Sequence, residues 1–228
     1  VVETIVPDPE AEKLLARFTK TEIFPYTLDS KKIEQLTKGK ELSGEEVKLL
    51  SKKLQEKGPS YDAMYTLESF YKIDSIKSHK QYDDYVASLD IGQMKESRCF
   101  VLSKISLTDL DYVLFWMNDY STYEACPYGW GKVVFATSYH KGNIGETIVF
   151  AEHSGGADAP VSGETKVKGT LNPDGTIALN KLDENDQGEG EVEINEGNFE
   201  IALSKGFFTY TKEENKKPRK RKSKNQLN

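Results

Sequence analysis

The chain has 228 residues, 37% of them hydrophobic and 30% charged. That is long enough for a buried core and too polar for spanning helices, since no run approaches the roughly 18 apolar residues one needs. Two cysteines and three histidines exclude a disulfide-dense scaffold and a four-cysteine zinc site. The net charge of −6 is uneven: residues 212–228 hold eight basic and two acidic side chains, +6, so the remaining 1–211 carries −12.

The chain begins Val-Val-Glu-Thr and passes Pro7 and Pro9 without a hydrophobic period. This reads as a linker after a removed leader, and predicts an extracytoplasmic protein (periplasmic, surface or secreted). Asp8-Pro9 then opens a helix, with Asp as N-cap and Pro in the first turn. Its apolar stripe is Ala11, Leu14, Leu15 and Phe18. Ser30 opens a second helix with Ile33 and Leu36, ended by Gly39. A third begins at the Ser43-x-x-Glu46 capping box, carries Val47, Leu50 and Leu54, and stops at Gly58-Pro59. Stripes this narrow need another surface to pack on.

From residue 61 the period changes to two. Strands are predicted at 64–77, 83–90, 97–106, 111–119, 131–140, 145–153, 161–171, 176–182, 190–195 and 198–211. Asn172-Pro173-Asp174-Gly175, Lys141-Gly142-Asn143 and Glu196-Gly197-Asn198 read as hairpin turns. Short links make neighbouring strands antiparallel. The expected fold is α+β: N-terminal helices on a C-terminal antiparallel meander that closes into a barrel or splits into a sandwich. Residues 1–211 form one domain, helical over 1–58 and β over 61–211, and 212–228 form a basic, disordered tail. A turn centred on 142–143 pairs Phe135 with Phe150 and Val134 with Ala151.

The most informative segment is 120–131, read as a loop. It holds Tyr120, Tyr123, Tyr128 and Trp130, with Glu124 between them. Tyr and Trp supply contact area at low entropy cost, so these five residues are the candidate ligand- or partner-binding set. The alternative is a hydrophobic plug, and Trp130, between Gly129 and Gly131, leans that way. Cys99 and Cys126 are either a disulfide, if the loop folds back on strand 97–106, or two buried thiols. In the tail, Lys217, Arg219, Lys220, Arg221 and Lys222 form a polyanion-contact candidate for heparin-like chains or anionic membrane, with no specific nucleic-acid recognition.

The acidic stretch 174–200 reads as the solvated face of a hairpin. Its near-miss to a calcium loop fails because Ile194 stands where the bidentate Glu belongs. No phosphate loop, His-Glu-x-x-His or Gly-x-Ser-x-Gly occurs, so no cofactor, metal or catalytic residue is assigned. The leading expectation is a non-enzymatic module that contacts a protein, a glycan or a small apolar ligand through 120–131. The alternative is a hydrolase or small-ligand barrel whose polar groups, Asp119, Glu124 and His153, converge only in the fold.

Overall fold

A computed structural model describes residues 6–60, 63–90, 92–123 and 128–222. Among them are five helices and eleven strands. Helix α1 (Pro9–Leu15) starts where the sequence predicts, with the Asp8 carboxylate accepting from the Glu10 amide at 2.9 Å. After two short strands, β1 (Lys20–Thr21) and β2 (Tyr26–Leu28), helix α2 spans Ser30–Gln35. Its N-cap is Asp29, which accepts from the Lys32 amide at 2.9 Å. Helix α3 (Gly44–Ser51) has the expected capping box, Ser43 with Glu46, and buries Val47 and Leu50.

Two predicted strands are helices. Residues 64–77 belong mainly to α4 (Ala63–Asp74), which buries Ala63, Thr66, Leu67 and Phe70. Those positions are i, i+3, i+4 and i+7, one stripe of a 3.6-residue helix. The 83–90 segment belongs mainly to α5 (His79–Ala87), capped by the Ser78 hydroxyl, which accepts from the Gln81 amide at 3.2 Å. The Gln81 side chain in turn accepts from the Lys77 amide at 2.8 Å.

The strands expected from 97 to 182 are present at the same length or longer, whereas the two expected at 190–195 and 198–211 are instead one strand over 191–204 and a second over 207–215. They are β3 (Met94–Ser106), β4 (Asp111–Thr122), β5 (Tyr128–His140), β6 (Asn143–Asp158), β7 (Val161–Leu171), β8 (Thr176–Asp186), β9 (Glu191–Ser204) and β10 (Phe207–Asn215). A last strand, β11, is Arg219–Lys222. The segment 120–131 is therefore not simply a loop, because 120–122 end β4 and 128–131 begin β5. The turn predicted at 196–198 lies inside β9, where Gly197 pairs with Lys181 and Asn215. The basic segment is not a structureless tail through 222. Its first part continues β10, and β11 pairs antiparallel with residues 191–194 of β9.

All strands join one sheet in the order β1-β3-β4-β5-β6-β7-β8-β9-β10, with β2 on β7 and β11 on β9. The sheet is mixed rather than wholly antiparallel, because β1 runs parallel to β3. It is also open. No ladder among the described residues joins β1 to β10, so the barrel closure expected from the meander does not occur.

Strands β4 to β6 are apolar on both faces, and two clusters cover them. One holds Leu114, Trp116, Val133, Phe135 and Val149 against Ala11, Leu14, Val47, Leu50, Leu67 and Phe70 of the helices. The other packs Phe115, Met117, Val134, Ile148 and Phe150 against Val167, Leu171, Leu179, Phe199 and Ile201, with Leu28 and Ile33 at its edge. The helices are pinned by a buried polar chain. The Trp116 indole N–H donates to Thr137 Oγ1 at 2.8 Å, Thr137 meets Thr147 at 2.7 Å, and Thr147 donates to the Leu50 carbonyl at 2.6 Å.

The β5–β6 hairpin keeps the predicted Val134–Ala151 pair, but Phe135 faces Val149 rather than Phe150. Phe150 is the extra residue of a bulge. It points into the inner cluster while Val149 faces the helices.

Candidate functional site

Directly opposed residues of a sheet share a face, and so do residues two apart on one strand. Three cross-strand rows therefore lie on one face at the end of the sheet away from the β5–β6 turn. The first runs Asp119, Lys132, His153, Lys166, Leu182, Glu196. The second runs Ser121, Trp130, Gly155, Glu164, Glu184, Ile194, Arg219. The third runs Tyr128, Ala157, Ser162, Asp186, Val192, Arg221. Helix α2 reaches over the first row with Glu34.

On this face the charges form a ladder. Lys132 pairs with Glu34, whose other oxygen lies 2.9 Å from His153 Nδ1. His153 Nε2 lies 2.7 Å from Glu164 Oε1, and Glu164 pairs with Lys166. Lys166 also reaches Glu184 at 3.4 Å, and Arg221 holds Glu184 at 2.6 Å. Beside the ladder, Lys38 holds Asp119 at 2.6 Å. Partial burial pushes the Glu34 carboxyl up, but hydrogen bonds from Lys132 and His153 outweigh it and hold the group below its usual value. At Glu164 burial is likewise outweighed, by Lys166 and His153.

Tyr128 and Trp130 stand beside this ladder. Trp130 meets the His153 ring edge-on at a centroid distance of 4.8 Å. Its indole lies over Gly155, where an added Cβ would come within 3.1 Å of the ring. Tyr128 is 39% exposed and Trp130 half-buried. The two rings border two concavities. One, of about 410 Å³, is lined by Glu34, Lys38, Arg98, Asp119 and Lys132. The other, of about 340 Å³, is lined by Ala157, Ser162, Glu164, Glu184 and Arg221.

The structure divides the predicted contact set. Tyr128 and Trp130 share the charged face. Tyr120 projects to the opposite face, packed against the helix-covered cluster with its ring over Gly131, where a Cβ would sit 2.5 Å from the ring, and it also borders the 410 Å³ concavity. Tyr123 is half-buried, and its amide donates to the Gln93 carbonyl at 2.7 Å. Glu124 and Cys126 lie outside the described residues. Cys99 is a buried free thiol, 3.4 Å from Asn118 Nδ2, and burial pushes its ionisation far up.

Asp119 and His153, named for the hydrolase alternative, are neighbours one strand apart across Lys132, and each is held by its own partners. His140 instead meets Asp111, with Nδ1 2.5 Å from Oδ1, while Thr108 donates to the other Asp111 oxygen at 2.9 Å. Among the described residues no group of three or more His, Cys, Asp or Glu side chains is placed to share a metal ion. The near-miss calcium segment, 183–194, is divided between the end of β8, a turn and the start of β9, and its Asp183 accepts from Thr165 at 2.9 Å and pairs with Lys181.

The polyanion candidates are mostly turned onto acids. Arg219 and Lys216 both hold Glu196 at 2.6 Å, Lys220 holds Glu191 at 3.0 Å, and Arg221 holds Glu184. Lys217 and Lys222 are exposed. The hydrogen bonds from Lys216 and Arg219 bring the Glu196 carboxyl from 4.5 down to about 2. A depressed carboxyl stabilises its contacts fully above its unfolded value and loses that contribution as pH falls through the folded one. The side-chain NMR signals of Arg219 should therefore hold from about pH 7 to 4 and move between about pH 3 and 1, centred near 2. Movement with a midpoint at the ordinary glutamate value would show that the clamp does not form.

Comparison of the chain with protein-family models, with curated proteins and with solved structures finds no match.

Proposed function

We propose that the chain is a non-enzymatic interaction module whose contact surface is the Tyr128–Trp130 face. The observation that carries this reading is the ridge itself. Two aromatic rings, one exposed and one half-buried, stand between two concavities and beside side chains whose charges are already compensated. Aromatic rings held by strands offer contact area with little conformational freedom left to lose, and paired charges on the rim set register and exclude wrong partners. His153 acts as a strut. Both ring nitrogens face carboxylates on different elements, which suits positioning better than proton transfer.

The reading is tested with peptide and glycan arrays probed in parallel with the native chain and with Tyr128→Ala. The variant should fold, with a stability change within about 1 kcal/mol, because the ring is substantially exposed. It should lose at least about tenfold in binding to whatever the native chain retains. Array signals equal for the two proteins, or none from the native chain on either array, would remove the support.

A further inference from the structure

We infer that the β9 edge at residues 191–194, together with the concavity between it and Trp130, is a docking site for an extended basic peptide segment with arginines two residues apart, and that β11 occupies the edge from within the same chain. The inference rests on the contact-surface reading and names its partner. Strand β9 has one edge shared by two segments. Strand β10 covers residues 197–204, and β11 covers 191–194 after the Lys216-Lys217-Pro218 link. Every residue of β11 is charged, so no apolar burial holds it there.

What holds β11 is backbone pairing read out by alternate side chains. Arg219 and Arg221 lie on the ridge face and reach Glu196 and Glu184, each at 2.6 Å. Lys220, on the opposite face, reaches Glu191 at 3.0 Å. This is strand addition: main-chain hydrogen bonds give affinity, and every second side chain gives specificity. Arg221 belongs to the same cross-strand row as Tyr128, across Val192, Asp186, Ser162 and Ala157. The small residues of that row leave the 340 Å³ concavity between the guanidinium and the rings, with Glu164, Glu184 and Asp186 lining it. The arginine-accepting chemistry is therefore displayed by an occupant.

The occupant is also displaceable. It is four residues long, and the side chains of Arg219, Lys220 and Arg221 remain 62%, 67% and 37% exposed in their ion pairs. Such pairs are screened by salt and contribute little each. A partner segment with the same arginine spacing and a bulkier neighbour would also fill the space against Tyr128 and Trp130, which β11 leaves open. The tethered strand competes through its high effective concentration, so the site opens when that strand is weakened.

The test uses the full chain and a fluorescein-labelled peptide of the sequence of residues 216–222, followed by fluorescence anisotropy. Arg219→Ala/Arg221→Ala should bind the peptide at least about tenfold more tightly than the native chain. Adding Glu184→Gln and Glu196→Gln should abolish that gain, whereas adding Glu10→Gln and Glu12→Gln, which remove the same charge elsewhere, should not. No gain over the native chain, or a gain that survives Glu184→Gln/Glu196→Gln, overturns the inference. Should the quadruple variant not fold, hydrogen exchange of amides 191–194 in the double variant decides. Peptide must restore their protection, and unchanged exchange at saturating peptide overturns the inference. A Tyr128→Ala arm, run with the same peptide extended at its C-terminus by a phenylalanine that fills the space against the rings, reads the ridge separately. Loss of peptide there upholds the contact surface, and unchanged binding removes Tyr128 from it while leaving the strand docking intact.

Discussion

Trp116→Ala is expected to cost about 3–5 kcal/mol in equilibrium denaturation, the range for removing a large buried ring. Trp116 is fully buried and stacked on Phe135 at 4.2 Å. The substitution also takes the indole donor away from Thr137 and so loosens the polar chain that ends on the Leu50 carbonyl of α3. The helices and the sheet should weaken together, and circular dichroism of helix and aromatic signals should give one shared midpoint. Early loss of the helical signal alone would show that the helices are not cooperatively tied to the sheet.

Phe150→Ala is the second large effect, again about 3–5 kcal/mol. The ring is fully buried, edge-on to Phe115 at 4.9 Å, and close over Gly169. Phe150 is also the bulge residue of β6, and the bulge fixes the register beyond it. That register places His153 opposite Lys132 and Gly155 opposite Trp130. The variant should therefore lose ligand binding by more than its stability loss explains when binding is measured well below its melting point. Full binding in a destabilised but folded variant would show that the site does not depend on this register.

Much of the fold is legible in the sequence because local signals agree with it. Asp8-Pro9 and Ser43-x-x-Glu46 are local capping chemistry, and both appear at the predicted places. Strands β3 to β8 follow from alternation and from turn residues such as Asn172-Pro173-Asp174-Gly175. The sequences of helices α4 and α5 read as strands because Tyr65, Thr66, Phe70, Tyr71 and Ile73, and later Tyr82, Tyr85 and Val86, have high strand propensity. In α4 the stripe Ala63, Thr66, Leu67, Phe70 is the stronger signal, and packing on β3 and β4 decides. The open, mixed sheet was not legible. It depends on two-residue β1 running parallel to β3, a contact with no local signature.

The site was legible only in part. Aromatic density singles out Tyr128 and Trp130, but the face on which each ring lies depends on register. Alternation from Lys132 back through Trp130 to Tyr128 could have separated them from Tyr120. Glu164, Lys166 and Glu184 lie on consecutive strands β7 and β8, so their meeting depends on hairpin register, while Glu34 comes from the distant helix α2, which only tertiary packing places over the row. The clamp on β11 had a visible signal. An acidic stretch at 174–200 and a basic run at 216–222 carry opposite charge, and that complementarity favours a paired strand over a free tail.

The most direct test of the contact surface is fluorine NMR of the full chain labelled with 5-fluorotryptophan. The chain has two tryptophans, one sealed in the core at 116 and one on the ridge at 130. In the Arg219→Ala/Arg221→Ala background, saturating 216–222 peptide extended at its C-terminus by a phenylalanine, the bulkier neighbour that fills the space against the rings, should shift the Trp130 resonance and leave that of Trp116 in place. Peptide bound by anisotropy with both resonances unmoved would contradict the account.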